Sequence, residues 1–142
     1  MIVLDTNVIS ELMRRRPAGA VIDWINRQPS ETIWTTSVSV FEVLYGIELH
    51  PDAGRQRELR DAFELALNDV FQHRVFLFDT AAAAEAARIA RRRKQSGLTS
   101  EIRDLQIAGI AVAGGAMLAT RNTKDFEEAG VATVNPWDLQ RH

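Results

Sequence analysis

The chain contains no cysteine. Disulfides, thiolate nucleophiles and cysteine-based zinc sites are therefore excluded. Histidine is scarce, at His50, His73 and His142, which argues against a histidine-rich metal site and a histidine general base. All three read as surface residues. No apolar run approaches the roughly 20 residues that cross a bilayer. No leader pattern opens the sequence, so a cytoplasmic protein with no membrane partner is expected. An excess of one charge is missing too, with a formal net charge of −2. A polyanion would have to be held by local basic patches or by metal ions. Repeats, low-complexity segments and long linkers are also absent, so residues 1–142 read as one domain with a full core.

What is present is an alternation of short apolar runs with helical patterns. Ile2–Leu4, Ile33–Thr36, Val75–Phe78, Met117–Thr120 and Val131–Val134 read as five strands. Helices are expected over Asn7–Met13, Ala18–Arg27, Ser37 to about Leu49, Arg55–Val70, an alanine-rich segment capped by Thr80, and a segment opened by Thr99 or Ser100 and closed by Gly114-Gly115. In the third of these, Thr36 or Ser37 is the expected cap, and Val40, Phe41, Leu44 and Ile47 are expected to face inward. Pro51–Gly54 reads as a loop. The pattern implies an α/β fold with a mostly parallel sheet of about five strands, covered on both faces.

Acids recur where such a sheet gathers its ligands, beyond the carboxyl ends of its strands. Asp5 follows the first strand, Glu42 lies one turn into the helix after the second, and Asn122 and Asp125 follow the fourth. Asp104 joins them if its helix begins at the same edge. Each has a structural reading. Asp5 could cap a helix, Glu42 and Asp104 could complement helix dipoles, and Asp125 could be a turn residue. Asp104, however, heads a helix that is apolar nearly all round, where an uncompensated carboxylate is costly. Glu42 is flanked on its face by Ser39 and Gly46. Converging carboxylates raise one another's pKa unless a cation balances them. All-oxygen donors favour a hard ion, Mg²⁺ with Mn²⁺ as alternative, and such ions suit phosphodiester hydrolysis.

Among the basic residues, Arg91-Arg92-Arg93-Lys94 reads as a solvated helix end that complements the dipole. Arg14, Arg15 and Arg16 lie nearer the expected site, and Arg121 adjoins Asn122. These four are the candidates for contact with a phosphate backbone. Trp24, Trp34 and Trp137 read as core or interface anchors.

Four segments taken together resemble the PIN-domain proteins, and among them the VapC/FitB-like toxins. They are Met1–Leu12 with Asp5-Thr6-Asn7, Ser37–Gly46 with Glu42, Arg103–Ala108 with Asp104, and Leu118–Phe126 with Asn122 and Asp125. Val134-Asn135-Pro136-Trp137 fits the same pattern. The resemblance implies a three-layer α/β/α domain and a Mg²⁺- or Mn²⁺-dependent endoribonuclease, the toxin of a type II toxin–antitoxin module. It implies Asp5, Glu42 and Asp104 as metal ligands and catalytic acids. Asp125 is expected as a weaker or water-mediated ligand, with Asn122 as an oriented polar neighbour. Thr6, Asn7 and Thr120 would hold the carboxylates in place. It also implies a small DNA-binding antitoxin of the VapB/FitA kind, DNA contact only through that antitoxin, and a homodimer. Two other readings stay open: phosphoryl transfer through an aspartyl phosphate at Asp5, as in receiver or phosphatase domains, and a catalytically silent binding module.

Overall fold

A computed structural model of the chain describes residues 1–138, and His142 lies outside them. Five strands form one parallel sheet: β1 (Ile2–Leu4), β2 (Ile33–Thr36), β3 (Val75–Phe76), β4 (Met117–Ala119) and β5 (Thr133–Val134), ordered β3-β2-β1-β4-β5. The helices are α1 (Thr6–Leu12), α2 (Gly19–Arg27), α3 (Ser37–Glu48), α4 (Ala53–Leu65), α5 (Thr80–Gln95), α6 (Ile102–Gly114) and α7 (Thr123–Glu128). A π-helical turn, Ala66–Val70, extends α4. Among the described residues no helix is long and apolar enough to cross a membrane.

The apolar runs become strands buried on both faces. Val3 and Leu118 point into one core with Ile89, Ile107, Ile110 and Phe126. Leu4 and Ala119 point into the other with Val8, Ile33, Val43, Phe63 and Phe71. The result is three layers, with α5, α6 and α7 on one side and α1, α2 and α4 on the other. Helix α3 feeds both, through Val38 on the first side and Val43 and Ile47 on the second.

Chain order reverses at β1. The path steps outward through β2 and β3, then returns to place β4 on β1's other side. That switch point opens a crevice at the carboxyl ends of β1 and β4. Asp5 and Thr120 are the residues that leave those two strands. Helix α6 ends at Gly115, whose φ of 63° provides a left-handed stop. The chain then enters β4, so the head of α6, with Asp104, lies at the carboxyl edge. Close packing fixes this helix against α5. A Cβ on Gly109 would lie 2.5 Å from the Ala82 carbonyl oxygen and 2.7 Å from the Ala86 Cβ.

Several local expectations are corrected. Phe41 and Leu44 face outward, being 56% and 40% exposed. Helix α3 is apolar on most of its surface, so spacing alone does not choose its inner face. Asp79, not Thr80, caps α5, accepting from the Ala82 N–H at 2.9 Å. Glu101, not Thr99 or Ser100, caps α6. Asp52 caps α4 inside the expected loop, so that helix starts at Ala53. Strands β3 and β5 are two residues each. Helix α7 was not expected; it is only six residues long and carries one buried side chain, Phe126.

Candidate active site

Asp5 is 4% exposed and held from both sides. Its Oδ1 accepts from the Thr6 N–H at 2.7 Å, the first-turn bond of an N-cap. Its Oδ2 accepts from the Thr120 hydroxyl at 2.8 Å and from Asn7 Nδ2 at 3.4 Å. The capping reading is thus correct for Asp5, yet it accounts for only one oxygen. Thr120 in turn accepts from the Asn122 N–H at 3.1 Å, and Asn7 Oδ1 accepts from the Arg121 N–H at 3.3 Å. The end of β1 and the turn after β4 are therefore tied together by Asp5, Asn7 and Thr120.

Glu42 reaches the same place from α3. The Thr6 hydroxyl lies 2.9 Å from both Glu42 Oε1 and Ser39 Oγ. A hydroxyl has one proton, and the charged acceptor makes the stronger bond. Ser39 is fully buried, and its N–H is satisfied by the capping Thr36 hydroxyl at 3.0 Å.

Asp104 is half-buried in the first turn of α6, where its N–H donates to Glu101 at 3.3 Å. Its carboxyl is pushed up to about 6, first by burial and then by the charges of Asp5, Glu101, Glu42 and Asp125. Asp5 is also raised, chiefly by burial, with the Thr120 and Thr6 bonds opposing and Glu42 adding to the rise. Asp125 is exposed in the first turn of α7, and its carboxylate makes no hydrogen bond or ion pair among the described residues. Asn122 occupies the N-cap position of α7, but its exposed side chain makes no capping bond. It contributes its backbone N–H instead.

The four acids named from sequence thus come together at one edge of the sheet. Among the described residues no three of them converge as a closed metal cage would. Burial is the main cause of the raised Asp104 carboxyl, and the charges of the neighbouring acids add to it.

Of the basic candidates, Arg121 lies with its guanidinium 4.7 Å from the centre of the Trp137 ring, a cation–π contact beside Asn7. Arg14 pairs with Glu11 at 3.3 Å and Arg15 with Glu58 at 3.0 Å. Arg16 is exposed and has no ion pair among the described residues.

Three charged residues escaped the sequence reading. Arg103 bridges α6 to α3, with Nη1 3.8 Å from Glu42 Oε2 and Nε 3.4 Å from Glu101 Oε1. Glu101 caps α6 and adds charge beside Asp104. Arg93 is buried rather than solvated, at 7% exposure. The signal for Arg93 was its place on the inner stripe of α5, in line with Ala82, Ala86 and Ile89.

A carboxylate cluster at the switch point of a parallel β3-β2-β1-β4-β5 sheet defines a small α/β domain built around an acidic site. The model of the PIN domain matches residues 2–132, and the chain belongs to the PIN-domain family. It is 43% identical over 138 residues to the plasmid stability protein StbB of Pseudomonas syringae pv. tomato, covering 97% of this chain and 99% of that one. It is 39% identical over 138 residues to the VapC ribonuclease Y4jK of Sinorhizobium fredii, again with 97% and 99% covered. Toxin FitB of Neisseria gonorrhoeae is 34% identical over 137 residues, covering 96% and 99%. The crystal structure of FitAcB from that organism superposes with a TM-score of 0.90, covering 98% of this chain and all of the other. A structure of FitAB bound to an IR36 DNA fragment gives 0.89, covering 100% and 99%.

Proposed function

We propose that the protein is the toxin of a type II toxin–antitoxin module and acts as a Mg²⁺-dependent endoribonuclease, with Mn²⁺ as a possible substitute. One observation carries the reading: Asp5, Glu42, Asp104 and Asp125 gather at the ligand-binding edge of a parallel sheet, where burial first and then the neighbouring acids push Asp104 up to about 6. Kinship with a VapC ribonuclease and with toxin FitB supports it. Mg²⁺ keeps several waters, so some of the acids can hold it through water rather than directly. An open group of acids therefore fits this ion better than a closed cage would. Asp5, Glu42 and Asp104 would hold it, with Asp125 at the outer rim. Bound there, the ion supplies Lewis acidity, which lowers the pKa of an attacking water and balances charge on the phosphodiester.

The protein's own groups do the rest. Thr120 and Thr6 hold the Asp5 carboxylate in one orientation. Thr6 also fixes Glu42. Arg121, steadied by the Trp137 ring, offers a guanidinium to an RNA phosphate, and Arg16 is a more distant cation. The antitoxin is read as a small DNA-binding protein that occludes the acids and supplies the DNA contact, as the FitAB–DNA structure encourages. A homodimer would bury Phe41, Leu44 and Tyr45, the exposed apolar side of α3.

The test is cleavage of tRNA, mRNA and rRNA by purified antitoxin-free protein in Mg²⁺. Cutting that stops with EDTA and with Asp5→Asn upholds the reading. An intact RNA panel at saturating metal supports the silent binding module instead.

A further inference from the structure

The arginine-rich end of α5 holds the outer side of the acid cluster. Arg93 Nε donates to Ser100 Oγ at 2.5 Å, Nη1 to the Asp125 carbonyl at 3.0 Å, and Nη2 to the Thr99 carbonyl at 3.2 Å. Nη1 also lies 3.6 Å from Glu128 Oε2. The Arg93 carbonyl accepts the Ser96 and Leu98 N–H groups, so the turn leaving α5 winds around the same residue. One guanidinium thereby joins the α5–α6 turn to the first turn of α7. Arg93, Ser100, Glu101, Asp104 and Asp125 line a single cavity of about 60 Å³.

Asp125 needs such a device. Its carboxylate has no partner of its own among the described residues, whereas Asp5 has three donors. Helix α7 is six residues long, and Phe126 is its one buried side chain. Arg93 bonds the Asp125 carbonyl and the Thr99 carbonyl at once, which ties Asp125 to the turn that leads into α6.

We infer that Arg93 is a positioning residue for the divalent-cation site, setting the separation of Asp125 from Asp104 by clamping the Asp125 carbonyl to the α5–α6 turn. The inference rests on the metal-dependent reading above. Its sign separates it from simple electrostatics. Removing a cation near acids would tighten binding of another cation, whereas loss of positioning weakens it. Lys keeps the charge but lacks the planar fork that serves three acceptors at once.

The experiment is calorimetric titration of Mn²⁺ into wild type, Arg93→Met, Arg93→Lys and Ser100→Ala, each also in an Asp125→Asn background, with unfolding temperatures recorded beside them. Mn²⁺ affinity is expected to fall about 10–100-fold in Arg93→Met, less in Arg93→Lys and a few-fold in Ser100→Ala. RNA cleavage at saturating Mn²⁺ should recover most of its rate. The effect of Arg93→Lys should vanish once Asp125 is Asn. Unchanged or tighter Mn²⁺ binding in the single variants overturns the inference, even if they melt earlier, because a mere staple lowers stability without moving metal affinity. If Arg93→Met does not fold, Arg93→Lys and Ser100→Ala decide by the same criterion. Wild-type protein that takes up no Mn²⁺ overturns the metal-dependent reading, and this inference with it.

Discussion

The two sides of the acid cluster are built in opposite ways. The inner side, Asp5 with Glu42, is the more buried and is bonded by its neighbours. Asp5 is 4% exposed, and its donors come from residues one or two positions away and from the strand beside it. The outer side, Asp104 with Asp125, sits on the first turns of two helices, and Asp125 faces solvent. Its order comes from a distant arginine through the main chain. A buried ligand is pre-organised but costly to charge, whereas an exposed one is cheap to charge but has to be fixed from outside.

The strongest way to break this contrast is Asp5→Asn. Cleavage should fall by at least about a hundredfold, more than loss of a supporting residue would cost. Asp125→Asn should cost less, about tenfold, and raising Mg²⁺ should recover the rate. Equal losses from the two substitutions in a cleavage assay would erase the distinction. Thr120→Val removes the hydroxyl that serves Asp5 Oδ2 and accepts from Asn122. The protein should lose about 1–3 kcal/mol in a denaturant melt.

The smallest effect is in pH dependence. Asp104 has a folded-state pKa of about 6 against an ordinary 3.8. The folded form therefore binds a proton more tightly than the unfolded form. The stability this contributes is complete below the unfolded value and is lost as pH rises through about 6. The metal-free melt of Asp104→Asn, subtracted from wild type across that window, should show this decline, and saturating Mg²⁺ should remove it.

Legibility in the sequence followed the same division. The inner side was readable because its cause is local. Ile2-Val3-Leu4 is a buried strand, Asp5 is the first residue past it, and β2 ends at Thr36, whose hydroxyl caps α3. The head of α6 could be placed only once the sheet order was known, since nothing local to Asp104 says which way its helix runs. Phe41 and Leu44 misled because α3 is apolar on several sides. Arg93 stayed hidden inside a run of four basic residues, where charge suggested solvent and only its register with Ile89 pointed inward. After β4, Asn122 gives a backbone N–H to Thr120, and Asp125 gives a carboxylate charge felt at Asp104.

The most direct test of the carboxylate cluster as a divalent-cation site is the unfolding temperature of wild type and Asp5→Asn titrated with Mg²⁺. A ligand bound only by the folded state stabilises it by about 2.7 kcal/mol at a hundred times its dissociation constant. Wild type should melt progressively higher as Mg²⁺ is added, and Asp5→Asn should stay flat over the same range. An equal rise in both proteins, or none in wild type, would contradict a cation held by these acids.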